Sequence, residues 1–229
     1  MTAPAENPPR LYSPRRANRV FPLDLPGHGA DANGDTAAVL LDECVHSISR
    51  SVERSGLKDL VLVGHGFAAS LVMQAAEQMA QAPKRIVLIA GIIPNDRKNM
   101  LSVFPNTTRK AFKLMAVVSK ASGRDVKIPP QAIGHYLCNG MDSIDVVRSL
   151  GYFGPLPTRV LATKVSPSEL TLRCPVTYVV LTDDRLLPAN TQRQMATRIP
   201  AAEVVELQSC HEAMLYKPRE LADILLSFA

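Results

Sequence analysis

Short apolar runs alternate with longer amphipathic stretches along most of the chain. In the longer stretches, apolar residues recur at the three- and four-residue spacing of a helix. The strand-sized runs predict strands at Arg19–Leu25, Leu60–Val63, Arg85–Ala90, Pro175–Leu181 and Glu203–Leu207. Helices are predicted at Thr36–Ser55, from about Ala69 to Gln81, at Ala189–Ile199 and at Pro218–Phe228. This alternation is typical of an α/β fold with a mostly parallel sheet.

Two segments depart from the alternation. Residues 1–18 are rich in Pro and Arg, so we expect a flexible basic leader. Residues 91–173 are divided by Pro and Gly and show no strand period, which predicts a helical insertion over one edge of the sheet. The predicted organisation is a leader, 1–18, followed by one α/β domain, 19–229, with a helical cap at about 91–173.

Composition narrows the class of protein. The 229 residues are 46% hydrophobic and 21% charged, which excludes a disordered or fibrous chain. No run approaches the roughly 18 apolar residues of a membrane span. We find no signal-peptide core, and the four cysteines form no CxxC pair, so we expect a cytoplasmic protein with free thiols. Much of the net charge of +5 comes from the leader, and we therefore predict no nucleic-acid partner.

Residues suited to chemistry follow three of the predicted strands. A tight glycine-containing turn, Gly64–Ala69, joins the second strand to a helix. Thr182–Arg185 follows the fourth strand and contains two aspartates, and Ser209–Glu212 follows the fifth and contains His211. Because catalytic groups in open parallel sheets collect beyond the carboxyl ends of strands, we expect these three segments to form one site.

The order of turn, Asp and His resembles that of the α/β-hydrolases, whose nucleophile turn has the pattern G-x-S-x-G. Asp24–Gly29 is similar to the strand and turn that precede this turn in the family. Within the superfamily the chain most resembles the methylesterase and hydroxynitrile-lyase group. The segments that carry this closer resemblance are Tyr136–Asn139, Pro175–Pro188 and Ala202–Pro218.

The resemblance implies an α/β-hydrolase fold and a role for each site residue. His211 would be the general base and Asp184 the acid that orients it, with Asp183 as the alternative. Phe67 would supply a backbone N–H to the oxyanion hole. Neither G-H-G segment has the third glycine of a dinucleotide-binding motif, and no zinc spacing occurs, so we predict no cofactor and no metal.

Two departures from the family pattern change the expected activity. The nucleophile position holds Gly66, which has no side chain to attack a substrate. The family also has a strand between those corresponding to Arg19–Leu25 and Leu60–Val63, leading to the loop that gives half of the oxyanion hole. No comparable strand candidate precedes Arg19, so we expect an N-terminally truncated fold in which the two flanking strands either pair directly or leave a gap.

The sequence therefore predicts a relative of small carboxylic ester hydrolases whose partner is a small apolar or ester-type molecule. Ordinary serine-dependent hydrolysis is not expected. Cys210, Ser70 and a water activated by His211 are the candidate substitutes for the serine, and the water is favoured on steric grounds. Two alternatives stay open: a non-catalytic protein that binds a small ligand, and a lyase-type enzyme that uses only His211 and Asp184. The sequence contains no information on the oligomeric state.

Overall fold

A four-stranded parallel sheet lies at the centre of the computed structural model, which describes residues 19–29, 36–122 and 126–229. The strands in chain order are β1 (Val61–His65), β2 (Arg85–Ile89), β3 (Lys98–Asn99), β4 (Lys164–Val165), β5 (Val176–Leu181) and β6 (Glu203–Leu207). The main sheet has the order β1-β2-β5-β6 with every neighbouring pair parallel, and β3 and β4 form a separate antiparallel pair. The predicted α/β class is confirmed, as are four of the five predicted strands.

Helices connect and cover the strands. They are α1 (Leu41–Ser55), α2 (Ala68–Gln78), α3 (Asn106–Ser122), α4 (Pro130–Ala132), α5 (Ser143–Ser149), α6 (Thr158–Ala162), α7 (Ala189–Ala196), α8 (Ala213–Tyr216) and α9 (Pro218–Leu226). Each predicted helix is present but shorter than expected. The start of α1 shows why: Thr36 donates its hydroxyl to the Gly27 carbonyl at 2.7 Å, and residues 36–38 form a turn instead of helix.

Side chains of the inner strands alternate between two apolar layers. One layer joins the sheet to α1, α2 and α7 and includes Ile86, Leu88, Tyr178 and Val180. The opposite layer joins the sheet to α9 and includes Val87, Ile89, Val179 and Leu181. Burial on both faces accounts for the nearly continuous apolar sequences of β2 and β5. Within the described residues, no helix is long and apolar enough to cross a membrane.

The predicted strand Arg19–Leu25 is wrong. These residues have no strand structure, and among the described residues no backbone hydrogen bond joins them to β1. Pro22 also has no N–H to donate to a ladder. A short apolar run becomes a strand only when a neighbouring strand pairs with its backbone groups, and none does so here.

A cavity of about 470 Å³ separates residues 19–25 from β1. Residues of α1 and α2 line the cavity on one face of the sheet, and residues of α9 line it on the other face. The cavity therefore lies beside β1, in the layer that the strands of the sheet occupy. The family resemblance placed a further strand at this position. Of the two expected outcomes, direct pairing or a gap, residues 19–29, 36–122 and 126–229 show the gap.

In the part of the chain that the structure describes, β1 is consequently an edge strand of the sheet. The Leu60 carbonyl accepts a hydrogen bond from Lys84 N at 2.8 Å, on the side of β2. Backbone groups of alternate residues in a strand point to opposite sides, so those of Leu62 point to β2. Those of Val61 and Val63 point towards the cavity.

Residues 91–173, between β2 and β5, contain mainly short helices. They also contain a π-helical turn, Ile133–Leu137, and the 3₁₀ turns Met100–Val103, Leu150–Tyr152 and Pro167–Glu169. The β3–β4 pair was not predicted, because two-residue strands have too few positions to show an alternating pattern. That this segment caps a substrate pocket stays a prediction, and the leader, 1–18, lies outside the described residues.

Candidate active site

Loops that follow β1, β5 and β6 bring Gly66, Asp184 and His211 together. Gly66 lies in the turn between β1 and α2, Asp184 follows β5, and His211 follows β6. The strands are parallel, so these loops all lie beyond the carboxyl ends of the strands. The three segments lie close together, as predicted.

Two glycines, Gly64 in β1 and Gly66 in the turn that follows it, allow the chain to pass from β1 into α2. A Cβ atom on Gly64 would lie 2.6 Å from Val72 Cγ2, so only glycine allows β1 and α2 to approach so closely. Gly66 has φ +55°, in the left-handed region. Its carbonyl accepts hydrogen bonds from Ile92 N at 2.8 Å and Ala69 N at 3.3 Å, which hold the turn in place.

His211 and Asp184 form a buried hydrogen-bonded pair. His211 Nδ1 and Asp184 Oδ2 are 2.7 Å apart, and the two residues are 5% and 4% exposed. Burial lowers the pKa of His211, but the charge of Asp184 and the hydrogen bond with it raise this pKa by more, so the net shift is upward. The arrangement is that of a histidine base oriented by a carboxylate.

Asp184 is held by the loop that follows it and by α7. Its Oδ1 accepts hydrogen bonds from the backbone N–H groups of Leu186 and Leu187, both at 2.8 Å. Its Oδ2 accepts from Gln192 Nε2 at 3.2 Å. Gln192 is fully buried and also exchanges hydrogen bonds with both backbone groups of Leu181. Sequence analysis missed Gln192, because a glutamine within a polar helix carries no signal of burial.

Asp183, the alternative acid, is placed differently. Its side chain is exposed, and its backbone carbonyl accepts a hydrogen bond from Asn139 Nδ2 at 2.8 Å. Asn139 therefore ties the helical segment before β4 to the loop after β5. Sequence analysis gave Asn139 no role, since its contact depends on a partner 44 positions away. The structure brings Asp184, and not Asp183, against His211.

The free nitrogen of His211 faces Gly66. A Cβ atom built on Gly66 would lie 3.5 Å from His211 Nε2 and 3.9 Å from His211 Cε1. Among the described residues, no other atom beyond the neighbouring residues lies within 4 Å of it. The next residue, Phe67, precedes the first turn of α2, and its N–H has no acceptor among the described residues. The Cβ position of Gly66 therefore has a base, His211, on one side, and the next residue, Phe67, has an unused backbone donor.

His65 supports His211 from the side of β1. The rings lie 4.5 Å apart, and His65 Nε2 is 3.0 Å from the His211 carbonyl oxygen. Burial, followed by the charge of His211, lowers the pKa of His65 to about 3. His65 is therefore neutral at neutral pH and carries its proton on Nε2, the atom that donates to the carbonyl.

Neither candidate substitute among the side chains is placed to attack a substrate. Ser70 is buried in α2 and donates its hydroxyl to the Ile92 carbonyl at 2.6 Å. Cys210 is fully buried, and burial raises its pKa to about 11, so the thiol is protonated at neutral pH. A water activated by His211 is the remaining candidate from the sequence.

The other histidines of the described residues lie apart from this site. His28 is paired through Nδ1 with the Pro26 carbonyl in its own turn. His46 and His135 are exposed on helical segments. Across residues 19–29, 36–122 and 126–229, no three His, Cys, Asp or Glu side chains are grouped as a metal site.

Comparison with known proteins identifies the family of this chain. The family model described as the alpha/beta hydrolase family matches residues 6–224. The chain belongs to the α/β-hydrolase family. The resemblance to the α/β-hydrolases is therefore confirmed. That the turn after β1 is the nucleophile turn of this family stays a prediction.

Relatives of this α/β-hydrolase include esterases. Methylesterase 7 of Arabidopsis thaliana is 25% identical over 222 residues, covering 92% of this chain and 85% of its own. A putative carbamate hydrolase, RutD of Klebsiella pneumoniae, is 24% identical over 82% of this chain and 72% of its own. Among solved structures, an extracellular α/β-hydrolase from a Paenibacillus species has a TM-score of 0.78 at 22% identity, covering 90% of this chain and 85% of that one.

Proposed function

We propose that this protein is an esterase-type α/β-hydrolase that retains its base, His211 with Asp184, and lacks the serine-dependent route. One observation carries the proposal: His211 Nε2 lies 3.5 Å from the Cβ position of Gly66, where a serine nucleophile would be attached. Gly66 itself has no atom that can form an acyl-enzyme. The reaction open to this site is attack on an ester by water activated by His211.

The expected contributions to the rate favour slow turnover. Loss of the serine from such a triad costs on the order of a millionfold in kcat. General-base catalysis by a positioned histidine contributes about a hundredfold to ten-thousandfold, which recovers only part of that loss. Phe67 N–H is the one oxyanion donor that we assign. A site with one donor instead of two loses roughly another hundredfold to thousandfold, and the described residues supply no second donor that we assign.

The substrate class follows from the relatives and from the chemistry of the site. The relatives bear the names methylesterase and carbamate hydrolase, and both ester and carbamate carbonyls develop an oxyanion on attack. We assign a small ester-type molecule to this site, with residues 91–173 as the cap above it. The buried hydrogen bonds that hold Asp184 support a catalytic base over a protein that only binds a ligand.

Restoring the nucleophile tests this proposal. Gly66→Ser should raise kcat/KM for phenyl acetate by at least about a hundredfold over the unmodified protein, because the serine's contribution exceeds that of an activated water by this factor. Gly66→Ala is the matched control, since it introduces the same Cβ atom at φ +55° without a hydroxyl. If Gly66→Ser folds and gains no more activity than Gly66→Ala, the esterase proposal is wrong.

A further inference from the structure

Helix α3 has two apolar faces, and only one of them packs against the protein. On the inner face, the ring of Phe112 lies 5.5 Å from the ring of Phe104, which is buried in the core. On the outer face, Leu114, Val117 and Val118 are 65%, 65% and 55% exposed. Residues three and four positions apart lie side by side on a helix, so these three side chains form one apolar surface, the α3 patch.

The segment that contains α3 is strongly basic. Residues 97–122 contain six Lys or Arg and no Asp or Glu, a charge larger than the net charge of +5 of the whole protein. Lys110 and Lys113 are exposed, and each lies four positions before a residue of the α3 patch. Among the described residues, neither lysine pairs with a carboxylate. Unpaired positive charge therefore adjoins the exposed apolar side chains.

We propose that the α3 patch binds the surface of a membrane that contains anionic phospholipids. Apolar side chains bordered by lysines are typical of a helix that lies in the plane of a bilayer surface. The apolar side chains enter the boundary between headgroups and acyl chains, and the lysines attract the anionic headgroups. The complementary charge of the lipid thus selects the membrane on which the apolar patch is buried.

Charge and shape distinguish a membrane from three other partners. A second copy of the chain brings an equally positive patch against this one, which opposes self-association. A nucleic acid backbone attracts the lysines by its charge but gives the three apolar side chains no apolar partner. An acidic protein with a groove for a helix has to surround α3, whereas the Phe112 face of α3 is already packed against the core. A bilayer surface contacts only the exposed face.

Cosedimentation with lipid vesicles tests the proposal on the unmodified protein. The probes are vesicles of phosphatidylcholine alone and vesicles that also contain about 30% phosphatidylserine. We expect partitioning onto the anionic vesicles to be at least about tenfold stronger. Raising NaCl from about 0.05 M to about 0.5 M should weaken it, because salt screens the attraction between lysines and headgroups. Equal partitioning onto both kinds of vesicle, or onto neither, would overturn the proposal.

Replacing two residues of the α3 patch tests its apolar part. Leu114→Gln with Val118→Gln, the apolar double variant, should lower partitioning by about tenfold or more, because less apolar surface is buried in the bilayer. The matched control is Ile144→Gln with Val147→Gln in α5, whose side chains are 61% and 67% exposed and lie on either side of Asp145. All four side chains are exposed, so both variants should fold, as circular dichroism checks. Equal losses in the two variants, or no loss in the first, would show that the α3 patch is not the binding surface.

Replacing the two lysines tests the electrostatic part. Lys110→Gln with Lys113→Gln should lower partitioning onto anionic vesicles by about tenfold or more, since each basic residue near the surface contributes about fivefold. Lys58→Gln with Arg219→Gln changes the net charge equally, at exposed positions outside α3, and should have a much smaller effect. If this control loses as much, the net charge of the protein and not the α3 segment attracts the vesicles, and the proposal is wrong.

Two results would assign the α3 patch to another partner. If the patch joined two copies of the chain, gel filtration would show a dimer that the apolar double variant dissociates. If the basic segment bound nucleic acid, a fluorescently labelled DNA duplex would bind the unmodified protein and the apolar double variant equally. Either result, together with a lack of partitioning onto anionic vesicles, would overturn the membrane proposal.

Discussion

Replacing Gln192 with leucine is expected to destabilise the protein strongly. Gln192 Oε1 accepts from Leu181 N at 2.9 Å, and its Nε2 donates to the carbonyls of Leu181 and Leu187 at 3.0 and 2.6 Å. Its Nε2 also lies 3.2 Å from Asp184 Oδ2. A leucine of similar volume keeps the apolar contacts and removes every one of these hydrogen bonds.

The size of the effect follows from the groups left without partners. A buried polar group that loses its hydrogen bond costs about 1–3 kcal/mol. Leu181 N and the Leu187 carbonyl are both in buried residues, so two such losses predict roughly 2–6 kcal/mol. That is a large part of the ~5–15 kcal/mol by which a typical domain is stable. Urea unfolding followed by circular dichroism measures the change as a lower midpoint.

Gln194→Leu is the matched control, because Gln194 lies in the same helix and its side chain is exposed. This variant should change the free energy of unfolding by less than about 0.5 kcal/mol. If Gln192→Leu were as stable as Gln194→Leu, the hydrogen bonds of Gln192 would not hold the loop after β5. Gln192 would then have no part in positioning Asp184.

Two further predictions concern His65 and the edge of the sheet. The pKa of His65 is lowered in the folded state, so at acidic pH the unfolded chain binds a proton that the folded chain does not. The free energy of unfolding therefore decreases as the pH falls below about 6.5, by up to about 1.4 kcal/mol per pH unit. In urea unfolding between about pH 6.5 and 5, His65→Phe should reduce the dependence of the unfolding free energy on pH. His135→Phe, at an exposed position, should leave this dependence unchanged. Equal slopes of unfolding free energy against pH in the two variants would refute a neutral, buried His65. The Val61 and Val63 amides point to the cavity beside β1, so we expect them to exchange hydrogen on the order of a hundredfold faster than the Leu62 amide, which is bonded to β2. Equal protection of all three amides would contradict an open edge.

Local pattern was enough to predict most of the fold. The continuous apolar sequences of β2 and β5 predicted inner strands, because a strand buried on both faces has no polar alternation. Arg19–Leu25 has a similar local pattern and forms no strand. Strand formation depends on a pairing partner that is distant in sequence, and the apolar run contains no information on whether that partner is present.

The candidate site was also predictable in part from local patterns. The order of turn, Asp and His identified Gly66, Asp184 and His211 as residues to examine together. The contacts of Gln192 and Asn139 could not be predicted, since each is an ordinary polar residue until the fold places it against the loop after β5. The distance between His211 and Gly66 likewise depends on loops from both edges of the sheet.

The central claim is that position 66 is a nucleophile position with its base in place and its nucleophile absent. The most direct measurement is the intact mass of Gly66→Ser after incubation with a fluorophosphonate, which forms a covalent bond with an activated serine and releases fluoride. We predict one adduct on Gly66→Ser, and none on the unmodified protein, on Gly66→Ala or on the double variant Gly66→Ser with His211→Ala. A folded Gly66→Ser that forms no adduct, or one that forms it equally without His211, would contradict the claim.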